Sequence, residues 1–329
     1  MSDHLHAFLA AVRAELGDAP AADRVQPGEF VRFSTNGKRS NRDGWLKWFA
    51  DGYGGCYGCK RQGISTAWQA GRPGYLSPSD RLQRAHEREA AAAHHAEQQR
   101  QQWAENAEHN ARLWAACQLL TPDDVAGRYL RARLRALPEV LPACLRFHPG
   151  LDYWHDDQKL GTFPALVASL TSPAGDVLAL HRTYLDPSGR KASLPDGAPI
   201  RKLTRAAGLL LGGSIRLGEP TADGLIGVAE GIETALAASL AGGLPVVAAY
   251  SAGALAAWRW PLEARHIAIC GDNDPAGLEA AERLAERALL AGLRVHRAIP
   301  SQPGLDWCDI WASRDECPEP LATEGAAHA

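Results

Sequence analysis

Between residues 225 and 300 the chain alternates short, branched apolar runs with helix-forming stretches, and this repetition limits the fold more than any other feature. The runs LIGVAE (225–230), PVVAAYS (245–251), HIAICGD (266–272) and RVHRAIP (294–300) are separated by predicted helices over 233–240, 254–258 and 276–290. Strand–helix–strand units with short links require right-handed crossovers and a parallel sheet. Runs as apolar as VVAAY and HIAIC fit strands buried on both faces.

Ligands of such sheets bind beyond the carboxyl ends of the strands. There the sequence places Glu230, then Asp272 and Asp274, then Asp306 and Asp309, an acidic rim of carboxylates. In Asp272-Asn273-Asp274 two carboxylates can face one ion while the residue between them points away. Mg²⁺ is held by one or two carboxylates and keeps waters and substrate phosphates, whereas a transition metal would call for His or Cys at these positions. Pro275 can open the next helix, and Gly277 lets its first turn approach the neighbouring backbone. The competing reading makes these acids helix N-caps, which a lone Asp before a helix usually is. Glu230, followed by Gly231, fits that reading less well, and three acids at matched strand ends favour a metal site of Glu230, Asp272 and Asp274.

Upstream, residues 1–76 read as a small β-rich module behind a short helix (Leu5 to Leu16), with turns at Asn36-Gly37, Asp43-Gly44 and Asp51-Gly52. Residues 77–137 read as a helical linker. A long helical spacer runs from Pro78 to about Leu120 without a sustained heptad seam, and a second helix opens at Thr121-Pro122-Asp123-Asp124. Within 138–221, TFPALVASLTS and DVLALHRTYLD flank Pro173-Ala174-Gly175-Asp176 as a hairpin. Residues 222–315 hold the parallel α/β sheet and 316–329 form a tail.

Net charge is −3, yet residues 1–150 carry +4 and 151–329 carry −7. Opposite signs in the two halves suit phosphate contact in the first and an acidic metal site in the second. At 329 residues, 22% charged and 46% hydrophobic, the chain fits a soluble globular protein. No run reaches membrane-span length and the start lacks a signal-peptide pattern, so a cytoplasmic location and no membrane partner are expected. Seven scattered cysteines do not form a disulfide framework.

Cys56-Tyr57-Gly58-Cys59 has the spacing of a zinc knuckle, but no second ligand pair lies nearby, so zinc is not expected at Cys56 and Cys59. The same module interleaves basic and aromatic residues, and Lys38, Arg39, Arg42, Trp45, Lys47, Trp48, Lys60 and Arg61 form a candidate nucleic-acid surface. Equally, its aromatics can be the core of a small domain. His94 and His95 are adjacent and point to different faces of their helix. No GxxxxGK[ST] P-loop is present in the sequence.

VAEGIETALAASLAGG followed by IAICGDNDPAGLEAAERLAER resembles the Toprim domain of bacterial-type primases, topoisomerases and related nucleases. Within that superfamily EGIETA resembles the EGYATA signature of phage- and plasmid-type DNA primases, DWCDIW resembles their terminal acidic motif, and LRFHPGLDYW through the hairpin resembles the segment before it. The resemblance implies a Rossmann-like α/β catalytic domain over 222–315, a primase-type α+β subdomain over 138–221 and a degenerate zinc-ribbon-like module over 1–76. It implies Glu230 as general acid/base, Asp272 and Asp274 as Mg²⁺ (or Mn²⁺) ligands, and Asp306 and Asp309 as secondary acids. Arg182, Lys191 and Lys202, on or near the hairpin, become candidates for NTP-phosphate or template contact. The implied activity is Mg²⁺-dependent synthesis of short RNA primers on single-stranded DNA from NTPs, for replication or transfer of a mobile element. Any helicase would be a separate partner chain. A Toprim nuclease and a non-catalytic nucleic-acid-binding protein are the alternatives.

Overall fold

The computed structural model describes residues 3–35, 42–59, 63–70, 78–195 and 197–314, the side chains of 78–88, 90–92 and 95 excepted. They form two compact units, 1–93 and 94–329.

In the first unit, helix α1 (Asp3–Leu16) precedes an antiparallel sheet of β1 (Phe30–Phe33), β2 (Gly44–Trp48), β3 (Gly54–Cys59) and β4 (Ile64–Gln69), in sequence order. Leu5, Phe8, Leu9, Val12 and Leu16 recur at helical spacing and pack on Leu46, Trp48, Tyr57 and Cys59. Gly55 makes this packing possible, because a Cβ there would lie 2.6 Å from the Phe8 ring. The outer face alternates with this one along every strand.

Helix α2 (Pro78–Ala116) covers the predicted spacer. Its last turns are docked rather than solvated: Asn106 and Asn110 donate side-chain hydrogen bonds to the carbonyls of Ala206 and Arg205. The Arg146 guanidinium lies 4.4 Å over the Trp114 ring.

The second unit continues with β5 (Gln118–Leu119), α3 (Val125–Leu134), β6 (Leu145–His155), β7 (Gln158–Thr171), β8 (Val177–Tyr184) and β9 (Arg201–Leu203). Asp124 caps α3 through the Gly127 amide. The five strands form one antiparallel sheet in sequence order, with the predicted hairpin as β7–β8. Strand β6 is harder to read because Pro149-Gly150 interrupts it, and the register shifts between His148 and Leu151 at that point. The sheet is buried on both faces. Leu166, Ala168 and Leu170 of β7 enter one core, and Ala165 and Val167 enter another.

The α/β fold predicted for the C-terminal half is present. β10 (Leu225–Ala229), α4 (Ile232–Gly242), β11 (Val246–Ala248), α5 (Ala252–Ala257), β12 (His266–Cys270), α6 (Pro275–Leu290), β13 (Arg294–Arg297) and α7 (Trp307–Ser313) follow one another. The four strands are parallel in the order β11-β10-β12-β13. Helix α4 packs into the core shared with α3 and the antiparallel sheet, so residues 120–308 contribute to one continuous interior. Trp311 of α7 ties to this interior by donating its indole N–H to the Leu134 carbonyl. No described helix is long and apolar enough to cross a membrane.

Candidate active site

The chain leaves β10 for β11 on one side, then crosses back to β12 on the other, so the carboxyl ends of β10 and β12 flank the reversal of strand order. Such a switch point is where α/β sheets open a crevice. Ala229 pairs with Cys270 at the last rung, so Glu230 and Asp272 emerge side by side. Both line one cleft with Asp306, Gly231, Glu233, Tyr250, Arg133, His181 and Arg201. The cleft holds about 100 Å³ of water-accessible space. That is room for several waters at roughly 10–15 Å³ each, or for a phosphate group.

Asp272 is strongly perturbed. Burial first, then the charges of Glu230, Asp306, Asp274 and Asp309, push its carboxyl up to about 7. Its Oδ1 is buried without a hydrogen-bond partner. Glu230 is also raised, by burial and then by Asp274, with the Ala252 amide at the start of α5 drawing it partly back. Acids raised in this way by burial and by neighbouring carboxylates are poised for a cation, whose charge would remove the repulsion.

The other acids have structural partners. Asp274 caps α6 through the Gly277 amide at 2.7 Å. Asp306 and Asp309 form a reciprocal capping box on α7, Asp306 accepting from the Asp309 amide and Asp309 from that of Asp306. Asp306 reaches the cleft while capping, and Asp309 is exposed and is not among the cleft-lining residues. Among the described residues no three His, Cys, Asp or Glu side chains are grouped closely enough to enclose an ion by themselves. This donor set, all oxygen with one orphaned buried atom, fits Mg²⁺ completed by water and substrate phosphate. Gly277 keeps Asp272 in place, since a Cβ there would approach the Asp272 carbonyl oxygen to 2.5 Å.

The opposite wall is basic and arises from a strand face. In β8 and β9, His181 pairs with Leu203, Arg182 with Lys202 and Thr183 with Arg201. Paired residues share a face and successive ones alternate. His181 and Arg201 therefore face the cleft. Arg182 and Lys202 face the other core, where Arg182 donates to the Leu203 carbonyl and Lys202 to the Trp154 carbonyl beside the Tyr153 ring. Lys191 is exposed and is not among the cleft-lining residues, although it lies within electrostatic range of Arg201, Glu233 and Arg133. Sequence reasoning singles out none of Arg133, Arg201 and Glu233: Arg133 and Glu233 lie on helices α3 and α4, where nothing in the local pattern sets them apart from surface charges, and Arg201 opens a three-residue strand too short to show which face it takes. Tyr250, also on the cleft, is a bulky residue at φ 67°, a strained conformation of the kind found at functional sites.

In the first unit, Trp48 is buried against α1 and Arg42 is exposed. Trp45 stacks on the half-exposed Phe30 at 5.6 Å and 13°, with Arg32 over Phe30 and Lys47 on the same outer face. Cys56 and Cys59 lie three residues apart on β3, so their thiols point to opposite faces of the sheet and do not converge on one ion. Lys38, Arg39, Lys60, Arg61 and the 316–329 tail lie outside the described residues.

The profile of the Toprim domain matches residues 225–316, and that of a domain of unknown function, DUF7146, matches 104–217. No curated protein matches the chain. Among solved structures, a DNA primase domain from Pseudomonas aeruginosa is 21% identical with a TM-score of 0.35, covering 51% of this chain and 52% of that one. The primase fragment of the bacteriophage T7 primase-helicase is 17% identical with a TM-score of 0.36, covering 60% and 70%. The zinc-binding and RNA polymerase domains of Aquifex aeolicus primase are 12% identical with a TM-score of 0.34, covering 96% and 83%. The chain thus spans about half the length of the Pseudomonas domain it matches.

Proposed function

We propose that this chain, whose residues 225–316 form a Toprim domain, is a primase-type nucleotidyltransferase that makes short RNA primers on single-stranded DNA from NTPs, serving replication or transfer of a mobile element. The observation that carries the reading is the buried, unpartnered Oδ1 of Asp272 beside Glu230 at the switch point of the sheet. A carboxylate held there without a protein donor is costly unless a cation completes it.

In this reading Asp272 is the principal ligand for Mg²⁺, and Asp274 and Asp306 contribute while capping their helices. The bound ion would neutralise charge that develops on the transferring phosphoryl group and bring its oxygens into the cleft. Glu230, with its raised pKa, takes the proton from the attacking 3′-hydroxyl or returns one to the leaving group. Burial makes it a stronger base than an exposed carboxylate, which suits work near neutral pH. The aromatic and basic outer face of the first unit, Phe30, Arg32, Trp45 and Lys47, suits stacking on template bases.

The test is incubation with single-stranded DNA, labelled NTPs and Mg²⁺, wild type beside Glu230→Gln. Labelled oligonucleotides made by wild type and lost in the variant support priming. Shortened DNA without NTP incorporation assigns a nuclease to the same acids, and neither product leaves a binding protein.

A further inference from the structure

The corner between β11 and α5 carries a strain that its topology does not require. Tyr250 takes φ 67°, where the Cβ of a bulky side chain crowds the next carbonyl. The equivalent corners after β10 and β12 reach α4 and α6 with no left-handed residue among 230–231 and 271–274. Turning a chain from this sheet into a helix can therefore be done without strain, and the corner at Tyr250 is placed for another reason.

Strained backbone persists only where its surroundings over-determine it, and here four contacts do so. The Ala249 N–H donates to the Ala229 carbonyl at 2.8 Å, tying the corner to the residue before Glu230. The Tyr250 side chain packs against the cores on both faces of the parallel sheet. Its hydroxyl donates to the Leu210 carbonyl at 3.3 Å. Ser251 then caps α5, its hydroxyl oxygen accepting the Ala254 amide at 3.2 Å. What this corner delivers is one donor. The backbone N–H of Ala252 bonds the Glu230 carboxylate, which otherwise faces burial and the Asp274 charge. Glu230 and Tyr250 line the same cleft.

We propose that the Tyr250 corner positions the general acid/base: by holding the Ala252 amide on one carboxylate oxygen of Glu230, it leaves the other directed at the reacting hydroxyl. Ala252 and Tyr250 are positioning residues that act through Glu230. A glutamate side chain has three torsions, and proton transfer needs its oxygen within hydrogen-bond reach of the group it serves. The inference rests on the nucleotidyl-transfer reading for the reaction, but not for the contact.

The test removes the donor. Ala252 is the first residue of α5, where proline is tolerated, and Ser251 before it is extended at φ −170° and ψ 161°, as proline demands of its neighbour. In the full chain with single-stranded DNA, NTPs and Mg²⁺, Ala252→Pro is expected to lower kcat about ten- to a hundredfold while KM for NTP stays within about twofold. Mg²⁺ affinity should be unchanged. Gly253→Ala, one residue on with open space for the methyl group, should keep kcat within about twofold of wild type. The double variant Ala252→Pro/Glu230→Gln should be no slower than Glu230→Gln alone. A further loss in the double variant, a raised KM with kcat unchanged, or wild-type kinetics in Ala252→Pro overturns the positioning role. Ser251→Ala keeps the amide but loosens the turn that carries it. It should show a smaller loss of kcat and takes the place of the proline variant if that one does not fold.

A second measurement needs no turnover. With alanine isotope-labelled at nitrogen, the Ala252 amide resonance is the one lost in Ala252→Gly. It should shift in Glu230→Gln, whose side chain no longer brings a charge to it. An unmoved resonance overturns the contact and the proposal with it. Should wild type make no oligonucleotides while this resonance follows Glu230, the primase reading falls and the contact stands. Should wild type prime and Ala252→Pro prime like it, the positioning role falls alone.

Discussion

The two walls of the cleft are built in different ways. The acidic wall hangs from the ends of parallel strands, where each functional position is the residue after an apolar run. The basic wall is the face of an antiparallel ribbon, where function depends on which of two alternating sets of side chains is turned inward. At strand ends a neighbour changes little. On a strand face, moving by one residue exchanges the cleft for the opposite core. The acidic wall is also electrostatically frustrated, with Asp272 pushed up to about 7 by burial and by its neighbours. The basic wall is neutralised internally, with Glu233 paired to Arg201.

The sharpest way to break this contrast is to separate proton transfer from metal binding on the acidic wall. Glu230→Gln is expected to lower turnover about 10²–10⁴-fold, the usual contribution of a positioned acid or base. It should leave Mg²⁺ affinity nearly intact, as read by metal titration of stability. Asp272→Asn should reduce the Mg²⁺ affinity itself. Identical titrations for the two variants would remove the distinction between their roles.

Next in size is a comparison of the two faces of the ribbon. Arg201→Met should raise the KM for NTP at least about tenfold. Arg182→Met, one face away and bonded to the Leu203 carbonyl and the Tyr184 hydroxyl, should leave KM within about twofold. It should destabilise the protein by about 1–2 kcal/mol instead, as expected for lost hydrogen bonds. Denaturant unfolding together with steady-state kinetics separates the two outcomes.

This pair also marks where the sequence stops being legible. Periodicity revealed the parallel sheet, the long helix and the β7–β8 hairpin, and the residues after each strand revealed Glu230 and Asp272. Charge and nearness to the hairpin point to Arg182 and Lys202, but charge carries no parity. The inward positions are His181, in an apolar run, and Arg201, opening a three-residue strand too short to show alternation. Glu233 was hidden for another reason. In EGIETALAASLAGG a Glu in the first helical turn looks like a solvated dipole partner, and only the packing of α3 against α4 shows that it is buried. The capping roles of Asp274, Asp306 and Asp309 are foreseeable from the sequence, and of the three Asp306 alone also lines the cleft.

A smaller perturbation tests whether the acidic wall depends on close backbone approach. Gly277→Ala inserts a methyl group 2.5 Å from the Asp272 carbonyl oxygen, so α6 or the 271–274 turn must shift. The expected loss is about 1–3 kcal/mol, typical of overpacking, with a parallel drop in Mg²⁺ affinity. Lost stability with unchanged Mg²⁺ affinity would show that Asp272 tolerates the displacement.

The two walls should also differ in the sign of their pH dependence. For metal-free protein, the raised Asp272 binds its proton more tightly folded than unfolded. Its carboxyl therefore destabilises the fold increasingly as pH rises from about 4 towards about 7. Glu233 is opposite. Burial alone would raise its pKa, but the Arg201 charge and the Tyr129 hydrogen bond outweigh this and lower it. Its contribution is present above the ordinary Glu range and lost as pH falls below it. Asp272→Asn should accordingly raise the melting temperature at pH 8 by a few degrees, with roughly 2–4 °C expected per kcal/mol and part of the shift screened by solvent. At pH 4 it should change little. Added Mg²⁺ should narrow the gap at pH 8 by stabilising only the wild type.

The smallest expected effect concerns Asp309, where capping and metal binding make opposite demands on one side chain. Its Oδ2 accepts from the Asp306 amide at 3.1 Å, and the residue is exposed. Asparagine retains an acceptor oxygen but no charge, and alanine retains neither. If Asp309 serves only the capping box, Asp309→Asn should match wild type in stability and turnover, and Asp309→Ala should lose about 0.5–1 kcal/mol, the low end for a lost helix cap. If its charge supports the metal, Asp309→Asn should already weaken Mg²⁺ binding without lowering the melting temperature. Asp306→Asn is the companion measurement, because Asp306 both caps α7 and lines the cleft. A fall in Mg²⁺ affinity there with none at Asp309 would place the boundary of the acidic wall between two residues on the same helical turn.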